Sequence, residues 1–195
     1  ATQLTTQDLI AATTHIGHAP SRSTPQTLAY LLGTRQGLHI IDPNATLAHL
    51  RRAAAFARLV AANGGIVLFV ANDPQVQHLA VEAAEYAGAF YVTQWTPGTL
   101  TNAQQVVVKR QAMADTQKQL PTSAPKPDLV VAVDLTSKHT MRAIKEARKL
   151  NIPTMAVVDS DVDPRWVTYP IPGNDDSVHS LELVVKTVAQ AVRQG

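Results

Sequence analysis

Three aspartates stand where an open α/β sheet would present chemistry. Asp42, Asp134 and Asp159 each follow a short apolar run, at 38–41, 129–133 and 154–158. If those runs are strands, the acids lie at the carboxyl edge of a sheet, where ligands bind. Carboxylates gathered there could hold magnesium for phosphoryl transfer. The plainer reading makes Asp42 a helix N-cap and lets the other two shape turns. It is the stronger reading because no phosphate-cradling loop accompanies the acids. Gly33–Gly37 and Gly64-Gly65 fit neither the nucleotide-loop nor the dinucleotide pattern, and no Gly-x-Ser-x-Gly elbow occurs.

The histidines add little to a catalytic case. His15 and His18 are three apart, a spacing that suits a metal on a helix, but Gly17 between them argues for a loop. No third ligand lies close in sequence. With no cysteine, disulfides, thiol catalysis and zinc ribbons are excluded. The sequence therefore predicts no catalytic residue, no metal ligand and no cofactor.

Cations give a different signal. Lys138, Arg142, Lys145 and Lys149 recur at helical spacings of four, three and four, opposite the apolar Met141, Ile144 and Ala147. Arg148 lies nearby, and Glu146 is expected to pair with Arg142. A one-sided basic stripe is an electrostatic footprint for phosphates. Lys109, Arg110, Arg22, Arg35, Arg51 and Arg52 strengthen it. Aromatics make up only 5% of the chain, which favours contact with a duplex backbone over stacking on single strands.

The elements that must position these residues are legible as a repeating strand–helix pattern. The stretch 128–159 holds two continuous apolar runs around a helical segment, a βαβ unit whose strands are buried on both faces. Upstream, a weak helix at 4–14 leads into a proline- and glycine-broken loop at 15–25. A strand at 38–41 follows. Asp42-Pro43 then starts a helix, with Leu47, Leu50, Ala54, Ala57 and Ala61 inward, that ends at Asn63-Gly64. A strand at 66–70, a helix begun by Asp73-Pro74 and capped by Gly88, and a strand at 89–92 come next. Turn residues fill 95–102, a helix is expected from about Ala103, and 121–127 is a proline-rich linker. After Asp159 a loop runs to Ser177, and Val178, Leu181, Val185, Val188 and Val192 mark a final helix. The expectation is one domain over 1–195, with an N-terminal helix and loop at 1–37 and a core at 38–195. Its parallel strands would lie near 38–41, 66–70, 89–92, 129–133 and 154–158, doubly wound with helices on both faces.

Charge is segregated along the chain. Residues 1–60 carry five Arg and two Asp, and 98–150 carry nine Lys or Arg against four acids, so these segments hold +3 and +5. Residues 61–97 hold three acids and no base, and 151–181 hold five Asp and one Arg, giving −3 and −4. One basic and one acidic surface follow from this. The longest apolar run, 66–71, is too short to span a bilayer.

Several segments together resemble one family. They are Gly17-His18, Gly37-Leu-His-Ile-Ile-Asp42, Ala61-Ala-Asn-Gly-Gly65, Pro97-Gly-Thr-Leu-Thr-Asn102, Glu146-Ala-Arg-Lys-Leu150 and Tyr169-Pro-Ile-Pro-Gly-Asn-Asp-Asp176. In this order they resemble the universal S-two family, the second protein of the small ribosomal subunit, from about His15 to Val192. The resemblance implies a five-stranded parallel core on the solvent side of that subunit, near the head–body junction. It implies small-subunit rRNA and neighbouring ribosomal proteins as partners, with no catalysis, no small-molecule substrate and no membrane. By position, Gly17, His18 and Arg22 and the turn bearing Pro97, Gly98, Thr99, Thr101 and Asn102 should face rRNA. The cations Arg35, Lys109, Arg110, Lys138, Arg142 and Lys145 join them as the expected binding set.

The chain departs from the family pattern twice. Bacterial members usually carry a long helical hairpin after the Thr-Leu-Thr-Asn segment, and residues 103–126 leave room for one moderate helix and a linker. The segment after His18 also lacks the tryptophan often found nearby. The reduced insertion, the bacterial-type Ile171-Pro-Gly-Asn-Asp-Asp176 and a start without methionine point to a mitochondrial ribosome in the matrix, with the bacterial cytoplasm as the alternative. The competing function is a magnesium-dependent phosphotransfer or nucleotide-binding α/β enzyme using Asp42, Asp134 and Asp159.

Overall fold

The computed structural model describes residues 4–102 and 126–195. Its centre is a five-stranded parallel sheet ordered β4-β3-β5-β6-β7. The strands are β3 (Val67–Val70), β4 (Phe90–Val92), β5 (Leu129–Ala132), β6 (Thr154–Val158) and β7 (Tyr169–Pro172). The runs that read as continuous and apolar lie in the middle, buried on both faces, as parallel strands require.

Helices cover both faces. On one lie α2 (Pro43–Ala62), α3 (Gln77–Ala87) and α5 (Val178–Arg193), which share a core with Val67, Phe69, Leu129, Val131, Met155, Val157 and Ile171. On the other, α4 (Lys138–Lys149) packs Ala143, Ile144 and Ala147 against Leu68, Val130, Ala132, Ala156 and Val158. A short α1 (Thr6–Ala11) sends Leu9 into the three-helix core. The alternation along each strand is the pleat at work: neighbours in sequence serve opposite layers. No long helical hairpin occurs among the described residues. The helix expected from about Ala103 and the cations Lys109 and Arg110 lie outside them.

The sheet corrects two strand assignments. Leu38–Ile41 (β2) is not in the parallel sheet; it pairs antiparallel with Leu31–Arg35 (β1) in a two-stranded hairpin. Gln36 and Gly37 join them with φ of 52° and 80°, the paired positive angles of a tight hairpin turn. The fifth parallel strand is Tyr169–Pro172, a stretch whose two prolines argue against a strand. It lies at the sheet edge, where a proline's missing N–H can face away from the ladder.

One helix start also shifts. Asp42 caps α2 as expected, accepting from Asn44 N–H at 2.8 Å. Asp73 instead accepts from Gln75 N–H within a turn, and α3 begins only at Gln77.

Candidate nucleic-acid interface

Strand order decides where a ligand crevice would open. Taken in chain order, the sheet strands run 2-1-3-4-5, so the switch point falls between β3 and β5. That point is closed by its own side chains. Asn72 N–H donates to Asp134 Oδ1 at 3.2 Å, and Asn72 Nδ2 donates to Thr140 Oγ1 at 2.9 Å. Thr140 in turn donates to both Asp134 oxygens, and Trp95 N–H reaches Asn72 Oδ1 at 2.6 Å. Burial pushes Asp134 up to about 6, against the opposing pull of the Asn72 N–H and the Thr140 hydroxyl. Asp42, Asp134 and Asp159 do not converge. Among the described residues, neither Asp42 nor Asp134 belongs to a group of three potential metal ligands.

The basic helix carries the exposed surface expected of it. Lys138, Arg142, Lys145, Arg148 and Lys149 are all exposed on α4. Glu146 does not pair with Arg142. It points inward, 9% exposed, and collects donors from the turn at 95–102. Gly98 N–H reaches it at 2.8 Å, Leu100 N–H at 3.0 Å, Thr101 N–H at 3.3 Å and Trp95 Nε1–H at 3.3 Å. The carboxylate thus fastens the turn to the helix from beneath, with Leu100 and Trp95 buried beside Ala143 and Ala147. Gly98 holds φ at 91°, which a side chain would resist. Pro97, Thr101 and Asn102 stay exposed while Thr99 turns in, its hydroxyl donating to Thr96 O at 2.6 Å.

Sequence reasoning overlooked Trp166. It is 36% exposed beside α4, with Lys145 Nζ 5.1 Å and Arg148 Cζ 5.5 Å from the ring centroid. An aromatic flanked by two cations suits both a phosphate backbone and an unstacked base. Its position across the Pro164–Trp166 turn, remote in sequence from the basic stripe, hid the pairing.

The N-terminal loop is anchored elsewhere. Gly17 and His18 are buried, while Arg22 and Arg35 are exposed. The loop runs antiparallel to β2: Gly17 N–H donates to His39 O at 2.9 Å and His39 N–H to His18 O at 3.0 Å. It also docks on the end of β6, where His18 N–H meets Ser160 Oγ at 2.9 Å and Thr24 N–H meets Ser160 O at 2.9 Å. A Cβ on Gly17 would come within 3.1 Å of Asp159 Oδ1 and Ser160 Oγ, a crowded approach that those two side chains would have to yield to.

There the His18 ring is ringed by acids. Nδ1 lies 3.2 Å from Asp159 and 3.9 Å from Asp161, and Nε2 lies 3.3 Å from Asp176. Burial works against a charged ring, but the carboxylates of Asp159, Asp161 and Asp176 outweigh it and hold His18 above the usual histidine range. Burial likewise raises Asp159, despite the Ser160 N–H and His18 beside it. Asp175 is pushed up to about 7, first by burial and then by Asp159, Asp161 and Asp176.

Comparison with known proteins meets this geometry directly. The family model described as ribosomal protein S2 matches residues 9–124 and 109–195. The chain belongs to the ribosomal protein S2 family. It is 38% identical over 200 residues to small ribosomal subunit protein uS2m of Neurospora crassa, covering 97% of this chain and 46% of that protein. The chain therefore spans about half the length of that relative. Uniformly named uS2m of Schizosaccharomyces pombe is 35% identical over 98% of this chain and 76% of its own length. Small ribosomal subunit protein uS2 of Dictyoglomus thermophilum is 34% identical, over 97% and 89%. Family membership makes the chain a constituent of the small ribosomal subunit, among rRNA and other ribosomal proteins.

Proposed function

We propose that this chain is a structural, non-catalytic constituent of a mitochondrial small ribosomal subunit, gripping rRNA with the α4 face and the turn at 97–102. The Glu146 fastening carries the reading. It holds a glycine- and hydroxyl-bearing turn and a row of cations as one surface, so backbone can approach closely and phosphates can be neutralised together. Lys138, Arg142 and Lys145 supply charge; Pro97, Gly98, Thr101 and Asn102 supply close approach, with Thr99 bracing the turn from inside. Trp166 adds a stacking face. Arg22 and Arg35 extend the footprint from the N-terminal side, while Gly17 and His18 shape the loop that presents Arg22. Lys109 and Arg110 complete the set. The chain works as one domain, with 1–37 as its rRNA-facing arm.

The mitochondrial assignment rests on the two fungal relatives named uS2m and on the short 103–125 segment. The test is fractionation of the source cells followed by sedimentation at moderate salt. Recovery with mitochondrial small subunits is expected. Recovery on cytosolic ribosomes, or in a cell without organelles, would refute the compartment. Failure to sediment with any small subunit would refute the function.

A further inference from the structure

A cleft opens where the carboxyl end of α4 meets the amino ends of β6 and β7. It encloses about 390 Å³, within the range of small-ligand sites. Its floor is Ile152, Thr154 and Val167, all buried. The polar groups of Thr154 are spent locally. Its N–H donates to Thr168 Oγ1 at 3.2 Å, and Thr168 N–H returns to Thr154 Oγ1 at 3.1 Å. The floor therefore offers a ligand chiefly apolar contact.

The rim is of another kind. Trp166, Arg148, Asn151 and Arg165 stand on it, all exposed. Arg165 is engaged by Asp163. Lys145 and Arg148, 5.1 Å and 5.5 Å from the Trp166 ring centroid, have no carboxylate partner among the described residues. The indole N–H of Trp166 makes no hydrogen bond among those residues either, whereas that of Trp95 is taken by Glu146. Asn151 brings an amide that can both donate to and accept from a base edge.

These parts fit one chemistry. An exposed indole beside a guanidinium, over an apolar floor, matches a flat aromatic ligand, and two unpaired cations next to it match a phosphate joined to that ligand. A duplex cannot use the cleft, because its bases are held in the stack. A nucleotide in a loop or bulge can, because its base is free to leave it. An acidic side chain would answer the cations but has no flat face to set against the indole.

We propose that this cleft is a binding site for a single unpaired nucleotide of rRNA, with its base against Trp166 and its phosphate on Lys145 and Arg148. The site rests on the rRNA-facing reading of α4 and narrows it. The low aromatic content favours duplex contact for the basic stripe as a whole, and Trp166 makes one local exception.

The full chain is titrated with two short RNAs, a perfect duplex and the same duplex carrying one bulged adenosine. The parent should bind the bulged RNA about tenfold more tightly, with quenching of tryptophan emission. Both affinities should fall with salt while their ratio holds, because stacking releases no counterions. Trp166→Leu should erase the preference and keep the duplex affinity. Trp166→Tyr, which can still stack, should keep most of the preference. Neither variant should change the far-ultraviolet circular dichroism, since Trp166 lies at the surface. Equal affinity of the parent for the two RNAs, or an undiminished preference in Trp166→Leu, would overturn the nucleotide site and leave the rRNA-facing surface standing. Tighter capture of a polyglutamate peptide than of either RNA would also overturn it and make the cleft a protein contact. Binding of neither RNA would remove the rRNA-facing surface together with the site.

Discussion

Two buried acidic centres in this molecule have opposite hydrogen-bond balances. Glu146 receives three backbone N–H groups and an indole N–H, so its charge is spread over donors that need an acceptor. Asp175 receives none, and its neighbours are chiefly other carboxylates. Glu146 lies in the last turn of α4, and Asp175 lies just past the end of β7. The number of donors aimed at a carboxylate separates a fastener from a site with capacity left over. Asp134 stands between them, bonded but in part against its preference for a proton.

The largest effect should come from breaking the satisfied centre. Glu146→Ala strands several buried N–H groups, and we expect a loss of about 3–5 kcal/mol. For a domain of this size that lowers Tm by roughly 10 °C. Scanning calorimetry checks it, and a change under about 1 kcal/mol would show that water replaces the carboxylate.

Asp134 sharpens the middle case. Its folded pKa of about 6 lies above the ordinary 3.8, so the folded state binds the proton more tightly. Its contribution is complete below about pH 4 and is lost as pH rises through 6, a swing of about 3 kcal/mol. The stability of Asp134→Asn relative to the parent should therefore climb between pH 4 and pH 7. Denaturant titrations at each pH measure that difference, and a constant difference would mean that Asp134 is not perturbed.

A smaller effect is expected at the under-satisfied centre. Gly17→Ala puts a methyl 3.1 Å from Asp159 Oδ1 and Ser160 Oγ, and we expect a loss of about 1–2 kcal/mol. Faster tryptic cleavage after Arg22 should accompany it. Unchanged stability and proteolysis would show that the loop does not depend on this close approach.

Much of the fold was legible because its signals are local. Continuous apolar runs marked the three central strands, Asp42-Pro43 and Gly88 marked helix ends, and the valines of α5 kept their period. What escaped depended on neighbours. Prolines 170 and 172 are compatible with a strand only because β7 is an edge, a property of the assembled sheet. Leu38–Ile41 has the apolar character of a core strand, yet Gln36-Gly37 turns it back on Leu31–Arg35. At the candidate interface the cationic row was visible from helical spacing. The inward turn of Glu146 was not, because four of its donors come from a segment some fifty residues away. Trp166 and the acids around His18 were hidden for the same reason: each belongs to a cluster that only the tertiary fold assembles.

The central claim is that the α4 face and its fastened turn meet rRNA. Ultraviolet cross-linking of assembled small subunits, followed by mass spectrometry of the RNA-bound peptides, tests it most directly. We predict adducts within 97–102, within 138–149 and at Trp166, and their loss from the helix in an Arg142→Glu, Lys145→Glu double variant. Adducts confined to the α2, α3 and α5 face, with the double variant assembling normally at high salt, would contradict the account.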